Sequence, residues 1–475
     1  MYCKTLALLA SVTALLLASC TGSSDGGGQG GQPTSAGGTG AGGSLPTGGS
    51  GGSQAGGSGP CTVPPDVAAD IEAYRTAFDA TYAEHAAELD QLAASGDGET
   101  YYTFQYVLDA TLSIYEATGD ASYRQRALGW AATMVAAATI IDPAGYANWP
   151  GSWCDTEDFG GGGSGGSCPY PTISYQLDDF QGSTELARLA RLVLLDPNAS
   201  SADKGAAAAV REFVVKNVVE KWGPAGRGSA EYLVADAENL TLPLNDKAML
   251  FGRILLELET VSAALGPLPY ETDSTPWLDA IGQAFVTRLA PFDPANAQSC
   301  PSSGDCNDSG GEAVCNQLPP TAPPAEPTAI TWDVGLGWDS CKALDTSHAN
   351  RYPYLASELA HRGRIFSPAE ITGLARLLSR VLYNGNAADP RIRNFIDGSQ
   401  CTFITRGPDE TGLIYSGWVV LSEWDDEAFA TASAVYTALV AATCNPTLAY
   451  NGSVYGMLEL PAHLAKARKL QACPR

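Results

Sequence analysis

The sequence predicts an all-α protein, an α/α toroid of antiparallel helix pairs with long loops and few short strands. Three observations predict it. Apolar residues recur at spacings of three and four along most of residues 61–475. Helix start and stop signals sit between those stretches, so that successive helices turn back on one another. Alternating patterns that would mark strands are scarce, 402–405 and 412–421 being the best. A solenoid of repeat modules is the alternative, but no fixed period is present, and loops 142–182, 223–244, 291–352 and 385–425 are too elaborate for a repeat array.

The helices follow in order. Pro65-Asp66 opens a stretch to about Ala94. The segment 99–118 comes next, with Phe104, Leu108, Leu112 and Tyr115 on one face. Thr118-Gly119-Asp120 reads as a C-cap glycine followed by the N-cap of a helix over 121–139. Further helices are expected at 183–195, 200–222, 245–265, 276–290, 353–362, 367–384, 426–443 and 455–470. Ser367-Pro368-Ala369-Glu370 is a capping box with proline at the first helical position. Pro353 disfavours α geometry at Tyr352, so the helix there is expected to begin at the proline. Asp426 is expected to cap the helix that follows it.

The 475 residues carry 27 Lys plus Arg against 52 Asp plus Glu, a formal charge of −25. That balance argues against a nucleic-acid partner, since phosphate binding needs a basic surface. Residues 1–19 read as a signal: Lys4, then a short apolar run from Leu6 to Leu17. Leu17-Ala18-Ser19-Cys20 resembles the lipobox of bacterial lipoproteins, which implies cleavage before Cys20 and its lipidation. The expected location is the outer membrane or cell surface of a Gram-negative bacterium, with the membrane engaged through the lipid alone. Residues 20–60 form a tether. Of residues 21–60, 18 are glycine, which rules out a core and gives a coil spanning roughly 35 Å. The globular domain is 61–475.

Ten cysteines remain beyond Cys3 and Cys20, an even number in an exported chain, so disulfides are expected, with Cys154 and Cys168 paired across a Gly-rich loop. Asp305, Asn307, Ser309, Gly310 and Glu312 echo a calcium loop, but Asn316 stands where a bidentate Glu is required. A disulfide-pinned surface loop is therefore expected there, with structural calcium as the alternative. No other metal site and no cofactor is expected.

The chemistry-bearing residues cluster in the long loops. Trp149, Trp153, Trp332, Trp338, Trp418 and Trp424 lie there, and indole faces suit sugar rings. Trp149, Trp332, Trp338, Trp418 and Trp424, with Arg406, are the expected substrate-binding residues. Among four histidines, His348 stands out. His85 reads as structural or solvated, His361 suits a helix C-terminus, and His463 lies in the last basic helix. The segment from Asp345 to Tyr354 holds His348, Asn350, Arg351, Tyr352 and Tyr354 at a loop-to-helix junction. A helix-capping role is the structural alternative for it.

That segment, ALDTSHANRYPYLASELAHRGRIFSPAEITGLARLL, resembles a D-T-S-H stretch of toroid polysaccharide lyases acting on alginate or glucuronan. GETYYTFQYVLDATLSIYEATGDASYRQRAL and LPLNDKAMLFGRILLELE resemble helical hairpins of toroid carbohydrate-active enzymes. The resemblance implies β-elimination at a uronic acid, with His348 as base or neutraliser, Arg351 on the carboxylate, Tyr352 or Tyr354 as acid and Asn148 as the neutralising amide. Gln181 stands where relatives would carry a more reactive polar residue. The acidic balance opposes an anionic substrate unless local cations such as Arg351, Arg391, Arg393 or Arg406 override it.

Two alternatives are carried. One is an inverting glycoside hydrolase using a carboxylate pair drawn from Asp178, Asp179, Asp333, Asp339, Asp345, Asp425 and Asp426, of which Asp333, Asp345 and Asp425 are preferred. The other is a sugar-binding lipoprotein without activity.

Overall fold

The computed structural model describes residues 61–141, 145–149, 176–223, 246–294, 326, 328–332, 344–398, 412–441 and 453–474. The expectations for the signal, Cys20, the tether, Trp153, Trp338, Asp333, Asp339, Arg406, the calcium-like loop and strand 402–405 lie outside them, as do Cys154 and Cys168.

The described residues are predominantly helical. The helices are α1 (Pro65–Ala93), α2 (Gly98–Thr118), α3 (Ala121–Ala137), α4 (Gln176–Leu195), α5 (Ser201–Val214), α6 (Asp246–Leu265), α7 (Thr275–Val286), α8 (Thr346–Ala349), α9 (Arg351–His361), α10 (Pro368–Arg376), α11 (Ser416–Val419), α12 (Asp426–Ala441) and α13 (Val454–Ala472). A π-helical turn extends α5 (Val215–Glu220) and another extends α10 (Leu377–Leu382), while a 3₁₀ turn extends α11 (Val420–Glu423). Two antiparallel strand pairs join β1 (Ile140–Ile141) to β2 (Ala147–Asn148) and β3 (Leu289–Pro291) to β4 (Ile330–Trp332). Among the described residues, no helix is long and apolar enough to cross a membrane.

Local chemistry sets many of the boundaries. Gly119 ends α2 in the left-handed region (φ 73°), its N–H on the Tyr115 carbonyl, and Asp120 caps α3 by accepting from Ser122 N–H. The Ser367–Glu370 capping box is fully formed. Several boundaries differ from expectation; the helix expected over 276–290 ends at Val286, with Leu289 and Ala290 in strand β3. Helix α4 begins at Gln176, seven residues early, because its first turns are buried yet polar and carry no apolar period. Helix α9 includes Tyr352; Pro353 sits at its third residue, where a missing N–H leaves no intrahelical bond unmade. Asp425, not Asp426, caps α12, accepting from the Glu427 and Ala428 amides. The stretch 412–421 is an extended run into α11 rather than a strand. It is buried on every side, and a short apolar run does not reveal its period.

Packing closes a circuit. α2 lies against α4, α4 against α6, α6 against α9, α9 against α11, α11 against α13, and α13 against α2. The helices α1, α3, α5, α7, α10 and α12 pack onto these six. Cross-helix bonds run first turn to first turn and last turn to last turn, so the six circuit helices are parallel. Arg351 at the start of α9 reaches Tyr102 at the start of α2 and Gln181 on α4, and Lys466 late in α13 reaches Glu358 on α9 and Glu423. The parallel arrangement requires every return helix to run the other way. Close approach demands glycine where α11 crosses behind α8: a Cβ on Gly417 would lie 1.7 Å from the Asn350 carbonyl oxygen. A disulfide between Cys61 and Cys473 joins the two ends of the domain, Cα to Cα 5.9 Å.

The interior of the circuit is charged. Arg188 of α4 is fully buried and donates to Asp109, Glu185, Glu116, Ser113 Oγ and the Tyr354 hydroxyl, drawing α2, α4 and α9 together. Arg253 of α6 bonds Glu185 at 2.6 Å and lies 3.4 Å over the Tyr354 ring. His463 of α13 closes on Asp109 at 3.1 Å. Removing one member of such a buried network strands its partners' charges, at about 3–5 kcal/mol. Arg188→Ala is therefore expected to lose that much in denaturant unfolding. Arg468→Ala, which breaks a part-exposed pair with Asp70, should lose no more than about 1 kcal/mol. Equal losses would show that the axial network does not hold the circuit.

Candidate functional site

The first turns of the circuit helices meet at one end. Of the longer connecting segments, 142–175, 224–245, 333–343, 399–411 and 442–452 each precede in sequence a circuit helix or the short segment before it, whereas 295–325 precedes β4. The mouth is the end where these first turns meet.

Arg351 organises it. Its guanidinium is buried and donates to Gln181 Oε1 (3.1 and 2.8 Å), the Tyr102 hydroxyl (2.6 Å) and Asp246. One side chain thus joins α2, α4, α6 and α9. Gln181 in turn donates to the Tyr102 carbonyl and the Tyr106 hydroxyl, both at 3.1 Å. Tyr102 is half-buried. Its hydroxyl accepts from Arg351 and keeps its own proton to donate.

His348 is beside this cluster. Asp345 caps α8, accepting from the Ser347 and His348 amides, and its second oxygen meets His348 Nδ1 at 2.6 Å. The Asp345 carboxylate raises the His348 pKa against the effect of burial, and Asp345, despite its own burial, is lowered by the imidazole. The imidazole keeps 38% of its surface exposed. With Nδ1 on Asp345, Nε2 is the nitrogen at which a proton would pass to or from a substrate.

Asp178 supplies the most perturbed carboxyl at the mouth. It lies in the first turn of α4 and is 5% exposed. Its Oδ2 has no hydrogen-bond partner among the described residues. Burial, then the charges of Asp179, Glu99 and Asp97, push its pKa up to about 7, against a smaller pull from Lys247. Its neighbour Asp179 is satisfied differently, accepting from Lys221 Nζ and Trp222 Nε1, both at 2.7 Å. Gly98 lets the first turn of α2 lie close: a Cβ there would stand 3.1 Å from the Trp149 carbonyl oxygen and 3.6 Å from Asp178 Oδ2. The two adjacent aspartates thus differ: Asp179 is paired with Lys221 and Trp222, whereas the pKa of Asp178 is pushed up to about 7.

The other expected site residues fall elsewhere. Tyr354 is on the axis, donating to Asp109 at 2.7 Å. Tyr352 is buried in a ring cluster with Trp332 and Phe285. Neither hydroxyl is placed at the mouth surface, which corrects their assignment as acids. Trp149 packs on Tyr101 and Phe213 and donates to the Met134 carbonyl. Trp418 is buried and donates to the Thr346 carbonyl. With Trp332, these indoles are buried core rings rather than exposed sugar platforms. Trp424 bonds Ser357 and faces His361 at the far end of α9, away from Arg351. Asp425 there is a helix cap. Arg351, expected to grip a substrate carboxylate, is already engaged by Asp246. Asn148 contributes backbone to β2. Arg391 pairs with Asp389, and Arg393 donates to the Gly398 carbonyl.

Tyr102 and Asp246 were missed. Each sits in a helix first turn, where a polar residue ordinarily reads as a cap. Among the described residues, no cluster of three or more His, Cys, Asp or Glu forms a metal site. Comparison with protein-family models, curated proteins and solved structures finds no match to the chain.

Asp178 also has a stability signature. Its folded pKa lies above its unfolded value near 4. Its favourable contribution is therefore complete below about pH 4 and is lost as pH rises through about 7. Asp178→Asn should raise the melting temperature at pH 8 and leave it nearly unchanged at pH 4. A variant less stable than wild type at pH 8 would contradict the assigned shift.

Proposed function

We propose that the closed circuit is an α/α toroid and that the protein is a glycoside hydrolase acting at its mouth, with Asp178 as general acid. The observation that carries this is a buried carboxyl in the first turn of α4, with an oxygen that has no hydrogen-bond partner among the described residues, at the end of the circuit where the first turns meet. Glycoside cleavage needs such a group to protonate the leaving oxygen, together with a second, ionised carboxylate. Asp246, 18% exposed and paired with Arg351, is the second carboxylate this reading assigns. Tyr102 and Gln181 then position sugar hydroxyls. The lipobox resemblance extends the proposal to an exported, lipid-anchored enzyme whose tether carries the domain away from the membrane.

A second reading is kept because the Asp345–His348 pair favours it. An imidazole oriented by Asp345, next to the Arg351 cluster that holds the Tyr102 hydroxyl, offers a base and an acid for β-elimination. It requires a uronate at the mouth, where Arg351 is already neutralised by Asp246 and several further carboxylates stand nearby, so it ranks below hydrolysis.

The purified protein is expected to release reducing ends from a polysaccharide without forming the unsaturated, ultraviolet-absorbing uronate. Asp178→Asn should lower kcat by about 10²–10⁴-fold with unchanged circular dichroism. Wild-type activity should fall as pH rises through about 7, when Asp178 loses its proton. Unsaturated product that is lost in His348→Gln and kept in Asp178→Asn would instead establish elimination.

A further inference from the structure

We propose that the Cys61–Cys473 disulfide is a redox-controlled clasp on the helix circuit: a dithiol reductant that opens it raises the opening of α13 away from α1 and α2, while the other helices stay packed. The proposal does not depend on the chemistry at the mouth. Around most of the circuit, neighbours are close in sequence: α2 reaches α4, and α4 reaches α6, through one return helix each. At the seam, α13 packs on α1 and α2, with nearly the whole domain between them in sequence. Polar contacts cross the seam along the second half of α13. His463 meets Asp109 at 3.1 Å, Lys466 lies 3.7 Å from Glu116, Lys469 Nζ donates to the Glu116 carbonyl at 2.7 Å, and Arg468 pairs with Asp70 at 2.6 Å. The disulfide adds a covalent link, joining the residue just after α13 to a residue just before α1 over a sequence separation of 412.

A crosslink that closes so long a loop restricts an opened chain more than a short one does. The seam it restrains also carries an opposing interaction. Glu459 of α13 is buried, and after burial the charge of Asp109 on α2 does most to push its carboxyl above the usual carboxylate range. Parting α13 from α2 hydrates Glu459 and relieves both. The buried pairs of the seam then separate into water rather than into a dry interior, which limits their loss. The Arg468–Asp70 pair is part-exposed and adds little. At the outer end of the seam the disulfide is therefore the main restraint, and a reductant can reach it, since Cys61 is exposed and Cys473 half-buried. A thiolate of the dithiol attacks Cys61 Sγ, and Cys473 Sγ leaves as a thiolate that takes up a proton. The second thiol of the reagent then attacks the mixed disulfide. Cys61 is released as a thiol and the reagent as its own disulfide, so two electrons and two protons pass to the protein.

The test is peptide-resolved hydrogen exchange of the full-length oxidised protein before and after treatment with dithiothreitol. Exchange in α1 and α13 should rise at least about tenfold, while α4 and α6 change by less than about twofold. The chain carries further cysteines, so the double variant Cys61→Ser with Cys473→Ser is measured beside it. The variant should match the reduced wild type at α1 and α13 and should show no further response there to dithiothreitol. Should the variant fail to fold, reoxidation of the reduced wild type serves instead: protection of α1 and α13 should return as the Cys61 and Cys473 thiols disappear by mass spectrometry. Unchanged exchange at α1 and α13 overturns the proposal. So does an equal rise in every helix or a loss of helical circular dichroism on reduction, either of which makes the disulfide an ordinary global stabiliser. A dithiothreitol effect at α1 and α13 that persists in the double variant, or protection that returns while the two thiols remain free, overturns it as well.

Discussion

The buried Arg188 guanidinium is the constraint on which the arrangement depends. It sits on the axis of the helix circuit and is met by three carboxylates, a serine and a tyrosine from two neighbouring helices and its own. A charge at that depth persists only when its partners are at hydrogen-bond distance. Helices α2, α4 and α9 are therefore held parallel and in one longitudinal register. Arg253, His463 and Lys466 extend the same requirement to α6 and α13. Carboxylates exceed cations along this axis, and Glu459 shows the result. Burial, and then the charge of Asp109, drive its pKa well above the usual carboxylate range.

Fixing the register of parallel helices brings their first turns to one end. Polar residues that would be scattered caps in isolated helices become a converging group, and Arg351 ties four of those helices through Tyr102, Gln181 and Asp246. The same geometry explains why Asp178 and Asp179 differ. Asp179 points to Lys221 and Trp222 behind α4, whereas Asp178 faces the acids at the start of α2. Stability favours neutralising Asp178, and the general-acid role we propose for it requires it to be neutral near pH 7, so in that reading one feature both costs stability at alkaline pH and serves the chemistry.

Much of this order was legible in the sequence, for identifiable reasons. Gly119, Asp120 and the Ser367–Glu370 box work through bonds within a few residues, and each is found where the sequence placed it. The Asp345–His348 pair is equally local, three residues apart on one short helix. What escaped depends on contacts across the chain. Tyr354 lies three residues beyond Arg351 in the same polar cluster, yet one helical turn carries it from the mouth to the axis, and no local pattern records that depth. Trp149, Trp332 and Trp418 are loop residues by sequence and core residues by contact, their indole N–H groups or ring faces matched by remote backbone and rings. Arg351 read as a substrate cation because its partner Asp246 lies 105 residues away. Asp178 was visible as one carboxyl among several, and its buried surroundings distinguish it.

The proposed chemistry depends on the protonation state of Asp178, and the most direct measurement is a carboxyl titration that observes it. Infrared difference spectra of wild type minus Asp178→Asn, recorded across pH, isolate the C=O band of this one protonated carboxyl. The account predicts a band present at pH 6 that disappears with a midpoint of about 7. A midpoint in the ordinary aspartate range near 4 would contradict it, leaving Asp178 an ionised rim residue and the mouth without its acid.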